Sequence, residues 1–200
     1  MWALYEAVPE GVRPAILLGA HAGLRLAEAA ALRVEDVDFA TGVVSPSIQW
    51  LDEPLKSDAS RTSIPIPKEM VHLLAEAIQL GDGRFLASDQ WGNPGGPWTI
   101  ERAIRACREP AGLPDDFRFH DLRHTWASWH RQAGTSCDEL KELGGWKSRE
   151  MVDRYAKYAT EHLAVAATRI ERVRAETVGN IVTFSSRSPK KKDLPLRTGP

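Results

Sequence analysis

The stretch from Phe119 to Arg131 constrains the fold more than any other part of the chain. Asp121 to Arg131 reads as a helix, with Leu122, Trp126 and Trp129 recurring at i, i+4 and i+7 as an inward-facing stripe. That stripe fixes the rotation of the helix and leaves another face free for chemistry. His120 and Arg123 stand three residues apart, which on a helix puts their Cβ atoms about 5–6 Å from each other. A planar guanidinium binds two oxygens of an oxyanion at once, and an imidazole beside it adds a further donor. The pair therefore suits a phosphate. Downstream come Leu143-Gly144-Gly145-Trp146, the polar segment Lys147 to Glu150, and then Tyr155, nine residues past Trp146. A tyrosine at that remove can act as a nucleophile toward a phosphate held by the pair.

The rest of the chain supplies helices and one β-rich interlude. Residues 1–12 read as a short helix ending near Pro9. Pro14 then opens an apolar helix, a position proline tolerates, and after Gly23 a second helix runs from Leu24 to Arg33. Thr41-Gly42 signals a turn into Val43 to Trp50, where Pro46 predicts an edge strand or a bulge. Lys56 to Ser60 is turn chemistry, and Arg61 to Pro67 reads as the returning strand. Helices follow over Glu69–Ile78, Thr99–Cys107 and Asp138–Leu143, the last ended by Gly144-Gly145. Trp91 and Trp98 are expected to pack. Glu161 to Val178 is a last amphipathic helix, Ile181 to Phe184 a short strand, and the remainder a disordered tail. The fold class is mainly α with a small antiparallel β-sheet, an α+β arrangement.

Charge separates the tail from the body. Residues 187–200 carry five basic residues against Asp193, a net of +4, which leaves −5 for the rest of a chain whose total is −1. Strong unaided binding to a polyanion is thus disfavoured, and any such contact needs a local basic face. No run approaches the roughly 20 apolar residues of a membrane span, and the N-terminus lacks a signal-peptide pattern, so a cytoplasmic location is expected. Cys107 and Cys137 are read as reduced thiols.

Taken in order, Ala22-Gly23-Leu24-Arg25 with Glu28, Lys56 ahead of Arg61-Thr62, His120-x-x-Arg123-His124, Leu143-Gly-x-Trp146 and Tyr155 resemble the tyrosine recombinase, or phage integrase, catalytic domain. The resemblance covers roughly residues 12–160. It implies that Arg25, Lys56, His120, Arg123, Trp146 and Tyr155 are catalytic, with Glu28 and His124 behind them. It also implies no metal and no cofactor, double-stranded DNA as partner, self-association into a tetramer on paired sites, and a bacterial or phage-encoded origin. Residues 1–178 would be the catalytic domain and 179–200 a C-terminal segment with a basic tail. Because the first box opens at Ala22, the helical domain that usually precedes it is expected to be absent.

By that resemblance Tyr155 attacks a phosphodiester to give a 3′-phosphotyrosyl link, and Lys56 protonates the departing 5′ oxygen. His120 or the surrounding cationic field takes the tyrosine proton. Three other readings bear on the same residues. His120 and His124, at i and i+4, are spaced like ligands of a zinc site, although Arg123 between them would repel a cation. A type IB topoisomerase uses the same chemistry to relax supercoils. A catalytically idle DNA-binding remnant would match the acidic body.

Overall fold

Pro14 lies in the first turn of the helix at the centre of the protein, α2 (Arg13–Leu17), as its fixed φ predicts. This computed structural model describes residues 1–55, 61–78, 83–89 and 91–155. Lys56, Tyr158, the expected last helix, the strand at 181–184 and the basic tail lie outside the described residues. Helix α2 continues as a wider π turn over Leu18–Ala22 and is closed by Gly23 at φ 62°, the left-handed conformation that glycine adopts most cheaply. Ala15, Ile16, Leu17, Leu18, Ala20 and Ala22 are fully buried, so α2 is covered all round. Helix α1 (Trp2–Ala7) precedes it and contributes Leu4 to the same core.

Helix α3 (Leu26–Ala31) is shorter at both ends than the expected Leu24–Arg33, and Arg25 is its N-cap rather than an interior residue. The start is set by Glu28, whose carboxylate takes the Arg25 backbone N–H that no helix carbonyl can reach. The end is set by segment 84–86, where the Leu32 carbonyl accepts from Leu86 N–H and the Arg84 carbonyl from Val34 N–H. Helical bonds beyond Ala31 are exchanged for this short extended pairing.

Two small sheets follow. Strands β1 (Val37–Asp38), β2 (Val43–Val44) and β5 (Ile64–Pro65) form an antiparallel sheet in the order β1-β2-β5. Strands β3 (Ile48–Gln49) and β4 (Glu53–Pro54) form a second, two-stranded one. The expected continuous strand from Val43 to Trp50 is therefore broken at Pro46, and its first half is central in its sheet rather than at an edge. Proline has no N–H to donate, so the ladder stops there and the chain resumes in another sheet.

Helices α4 (Lys68–Ala77), α5 (Pro97–Cys107), α6 (Phe119–Ala133), α7 (Cys137–Leu143) and α8 (Glu150–Asp153) complete the described residues, which fall in one compact unit spanning Met1–Leu163. Phe119 and Leu122 of α6 pack on the π turn, where Gly19 permits the approach: a Cβ there would stand 2.9 Å from the Phe119 ring. One turn on, Trp126 and Ala127 belong instead to a second apolar cluster with Leu140, Trp146, Val152 and Tyr155. Helix α6 thus links the two cores.

Three tryptophans depart from expectation. Trp129 is 41% exposed, lying beside His21 at the margin of the core rather than inside it. Trp91 and Trp98 are 75% and 72% exposed. Trp91 is in a turn fastened by the Asp89 carboxylate, and α5 turns Ile100 and Ile104 inward instead of Trp98. Cys107 and Cys137 are free thiols.

Candidate active site

Arg25 and Arg123 reach one narrow cleft from elements far apart in sequence. Arg25 is extended at the start of α3 (φ −74°, ψ 155°). One Glu28 carboxylate oxygen accepts its backbone N–H at 2.8 Å and the other accepts its guanidinium at 2.7 Å. Glu28 is 2% exposed, and a buried carboxylate is sustained by such paired, charged donors. The acid therefore fixes Arg25 by main chain and side chain together. The Arg25 side chain keeps partial access to solvent.

Arg123 is held more tightly still. Its guanidinium donates to the Gly23 carbonyl through one terminal nitrogen and to the Gly144 carbonyl through the other. The same group lies over the Trp146 ring, 4.4 Å from its centroid, a cation–π geometry. At 3% exposure, burial lowers its pKa to about 10, with the Arg25 charge adding to the effect and Glu28 and Tyr155 opposing it. Arg123 stays protonated at neutral pH. Arg25, Glu28, Thr62, Arg123 and Gly144 line a cleft of about 10 Å³, room for about one water molecule. Two guanidinium groups that repel each other are relieved by an anion between them.

The two glycines also limit what the cleft tolerates. A Cβ on Gly144 would stand 2.0 Å from the Trp146 ring, and one on Gly23 2.3 Å from the Trp126 ring. Trp126 and Trp146 are stacked at 5.9 Å, which leaves neither ring free to retreat. Gly144→Ala is expected to cost about 1–3 kcal/mol of stability through overpacking, measured by urea unfolding. Destabilisation below about 0.5 kcal/mol would show that the ring can move aside.

His120, Trp146 and Tyr155 complete the group. His120 is exposed at the start of α6. Its pKa is lowered, by desolvation first, then by His124, Arg123 and Arg25, with Asp121 opposing. Its ring meets His124 edge-on at 4.6 Å between centroids. Tyr155 is 5% exposed, with its ring 5.9 Å from that of Trp146. The Tyr155 hydroxyl is 2.5 Å from His124 Nδ1. Sequence reasoning had placed His124 behind the site, and it offered no sign of this contact beyond the shared face of His120 and His124. It also gave no sign that backbone carbonyls of Gly23 and Gly144 would seat Arg123. Lys56 lies outside the described residues, and no group of three or more His, Cys, Asp or Glu with metal-binding geometry occurs among the described ones.

Known proteins resemble this chain in sequence and in fold. The Integrase of Salmonella phage P22 is 52% identical over 84 residues, 42% of this chain and 21% of that protein. Tyrosine recombinase XerC of Rickettsia peacockii (strain Rustic) is 26% identical over 155 residues, 73% of this chain and 47% of that protein. The chain thus spans between about a fifth and about half of the length of these relatives. Among solved structures, XerA recombinase matches with a TM-score of 0.68 at 22% identity, covering 84% of this chain and 61% of that one. The Tn1549 transposon integrase in complex with circular intermediate DNA matches with a TM-score of 0.66 at 25% identity, covering 80% and 59%. Residues 4–162 match the model of the phage integrase family, and the chain belongs to that family, with the fold of a tyrosine recombinase catalytic domain.

Proposed function

We propose that this protein cuts and rejoins DNA at specific sites through a 3′-phosphotyrosyl intermediate, with Tyr155 as the nucleophile. The observation that carries this reading is the meeting of Arg25 and Arg123 at one cleft, with the Tyr155 ring 5.9 Å from that of Trp146, on which the Arg123 guanidinium lies. A phosphodiester under attack gathers charge on its non-bridging oxygens, and two fixed guanidinium groups offset that charge without reorganising. His120 adds a donor at the exposed side. Trp146 acts by holding Arg123 flat beneath the scissile phosphate. Lys56, assigned from the family resemblance, protonates the 5′ oxygen as it leaves. The phosphotyrosyl bond conserves the energy of the broken linkage, so a second 5′-hydroxyl can reverse the step.

Double-stranded DNA is the proposed partner, and a tetramer on paired sites the proposed assembly. The Tn1549 integrase was solved with DNA, and a lambda integrase dimer was solved on a COC' core site. Residues 1–178 are assigned to the catalytic domain and 179–200 to a C-terminal segment with a basic tail, in which Ile181 to Phe184 would engage a neighbouring protomer. Incubation with a nicked duplex whose cleavage releases a short fragment tests the reading. A covalent protein–DNA adduct stable to detergent is expected. Binding without an adduct would favour the idle remnant, and plasmid relaxation without strand exchange would favour a topoisomerase-like activity.

Cleavage is expected to be unchanged by EDTA, since the arginines provide the charge neutralisation that a metal gives elsewhere. Loss of the adduct on chelation, with recovery on adding zinc or magnesium, would revive His120 and His124 as metal ligands.

A further inference from the structure

We propose that His124, through Nδ1, receives the phenolic proton of Tyr155 as the tyrosine attacks. The proposal rests on the phosphotyrosyl reading and names a group that reading leaves open. Unperturbed tyrosine holds its proton to a pH near 10, so attack at neutral pH needs an acceptor already in contact with the hydroxyl. His124 Nδ1 is 2.5 Å from it. The arrangement is built from both sides: Trp146 packs against the Tyr155 ring, and α6 fixes the imidazole one turn after His120.

A base must be neutral before it acts, and the surroundings of His124 favour that form. Desolvation lowers its pKa, Arg154 and Arg123 add to the lowering, and Asp121 opposes it. His120, the other titratable group against it, is itself held toward the neutral form. The step then balances. The Tyr155 oxygen bonds to phosphorus as the bond from phosphorus to the 5′ oxygen breaks, and the phenolic proton passes to Nδ1. The 5′ oxygen takes a proton from Lys56 or from solvent and departs as a hydroxyl. In the rejoining step the imidazolium returns its proton to Tyr155.

The test is the cleavage rate on the nicked duplex across pH for three forms of the whole chain. These are the unaltered protein, His124→Gln, and His124→Gln with a fluorinated tyrosine of lower phenol pKa at position 155. Unaltered protein should lose rate as pH falls through the folded His124 pKa, below 6.5, because protonation removes the acceptor. His124→Gln should lack that limb and be slower by about 10²–10⁴-fold at neutral pH. Its defect should shrink at high pH, and the more acidic phenol should restore most of the rate. A purely structural role would not respond to phenol acidity. His124→Gln within about tenfold of the unaltered rate, or a defect that neither pH nor the acidic phenol relieves, overturns the proposal and leaves the phosphotyrosyl reading standing. An unaltered protein that forms no adduct overturns both. Should His124→Gln fail to fold, ¹⁵N NMR of the unaltered protein decides. A bare Nδ1 with the proton on Nε2 is expected, and a proton on Nδ1 overturns the assignment.

Discussion

Arg123→Lys is expected to cleave DNA almost as poorly as Arg123→Ala, with both reduced by at least about 10²-fold. A lysine keeps the charge and loses the shape. The guanidinium bridges carbonyls of Gly23 and Gly144 that come from two different segments, while its flat face lies on Trp146. A single ammonium on a flexible stem cannot hold both carbonyls, cover the indole and still direct a donor into the cleft. Arg123→Ala also leaves two buried carbonyls without their partner, at about 1–3 kcal/mol each. The comparison is therefore made on protein shown to be folded and still able to bind the duplex. Near-normal cleavage by Arg123→Lys would mean that charge alone suffices at this position.

Tyr155→Phe is expected to abolish adduct formation and leave the fold in place. The ring keeps its contact with Trp146 and its place in the second apolar cluster. The substitution removes the hydroxyl and with it the bond to His124, a change of about 1 kcal/mol in stability. Tyr158→Phe should cleave normally. An adduct that survives Tyr155→Phe and vanishes in Tyr158→Phe would move the nucleophile by three residues. Circular dichroism with unfolding curves separates a chemical defect from a structural one in both variants.

Much of this arrangement was legible because helical spacing states which residues share a face. The stripe of Leu122 and Trp126 oriented α6, and Pro14 located the start of α2. Spacing does not state how far neighbouring elements extend, which is why Trp129, on the same stripe, ended at the margin of the core. It also cannot see competition for backbone donors. Glu28 caps Arg25 and segment 84–86 captures Leu32, so α3 lost a turn that helix propensity alone would have granted it. Pro46 announced an interruption in the strand, but whether the chain bent or changed sheet depended on partners elsewhere. The site was legible as a list of residue types and illegible as a set of contacts. Arg123 is seated by two carbonyls, groups that every residue carries. The pairing of His124 with Tyr155 depends on α7 and α8 reversing the chain between them.

The central claim, that Tyr155 becomes joined to DNA, is tested most directly by mapping the adduct. Arg154 precedes Tyr155 and Lys157 precedes Tyr158, so trypsin places the two tyrosines on separate peptides. The intact protein is trapped on the nicked duplex, the DNA is trimmed with nuclease, and the peptides are weighed by mass spectrometry. A residual nucleotide on the peptide Tyr155-Ala156-Lys157, linked through its 3′-phosphate, is the predicted result. A nucleotide on the peptide that begins at Tyr158, a link through a 5′-phosphate, or no modified peptide at all would contradict it.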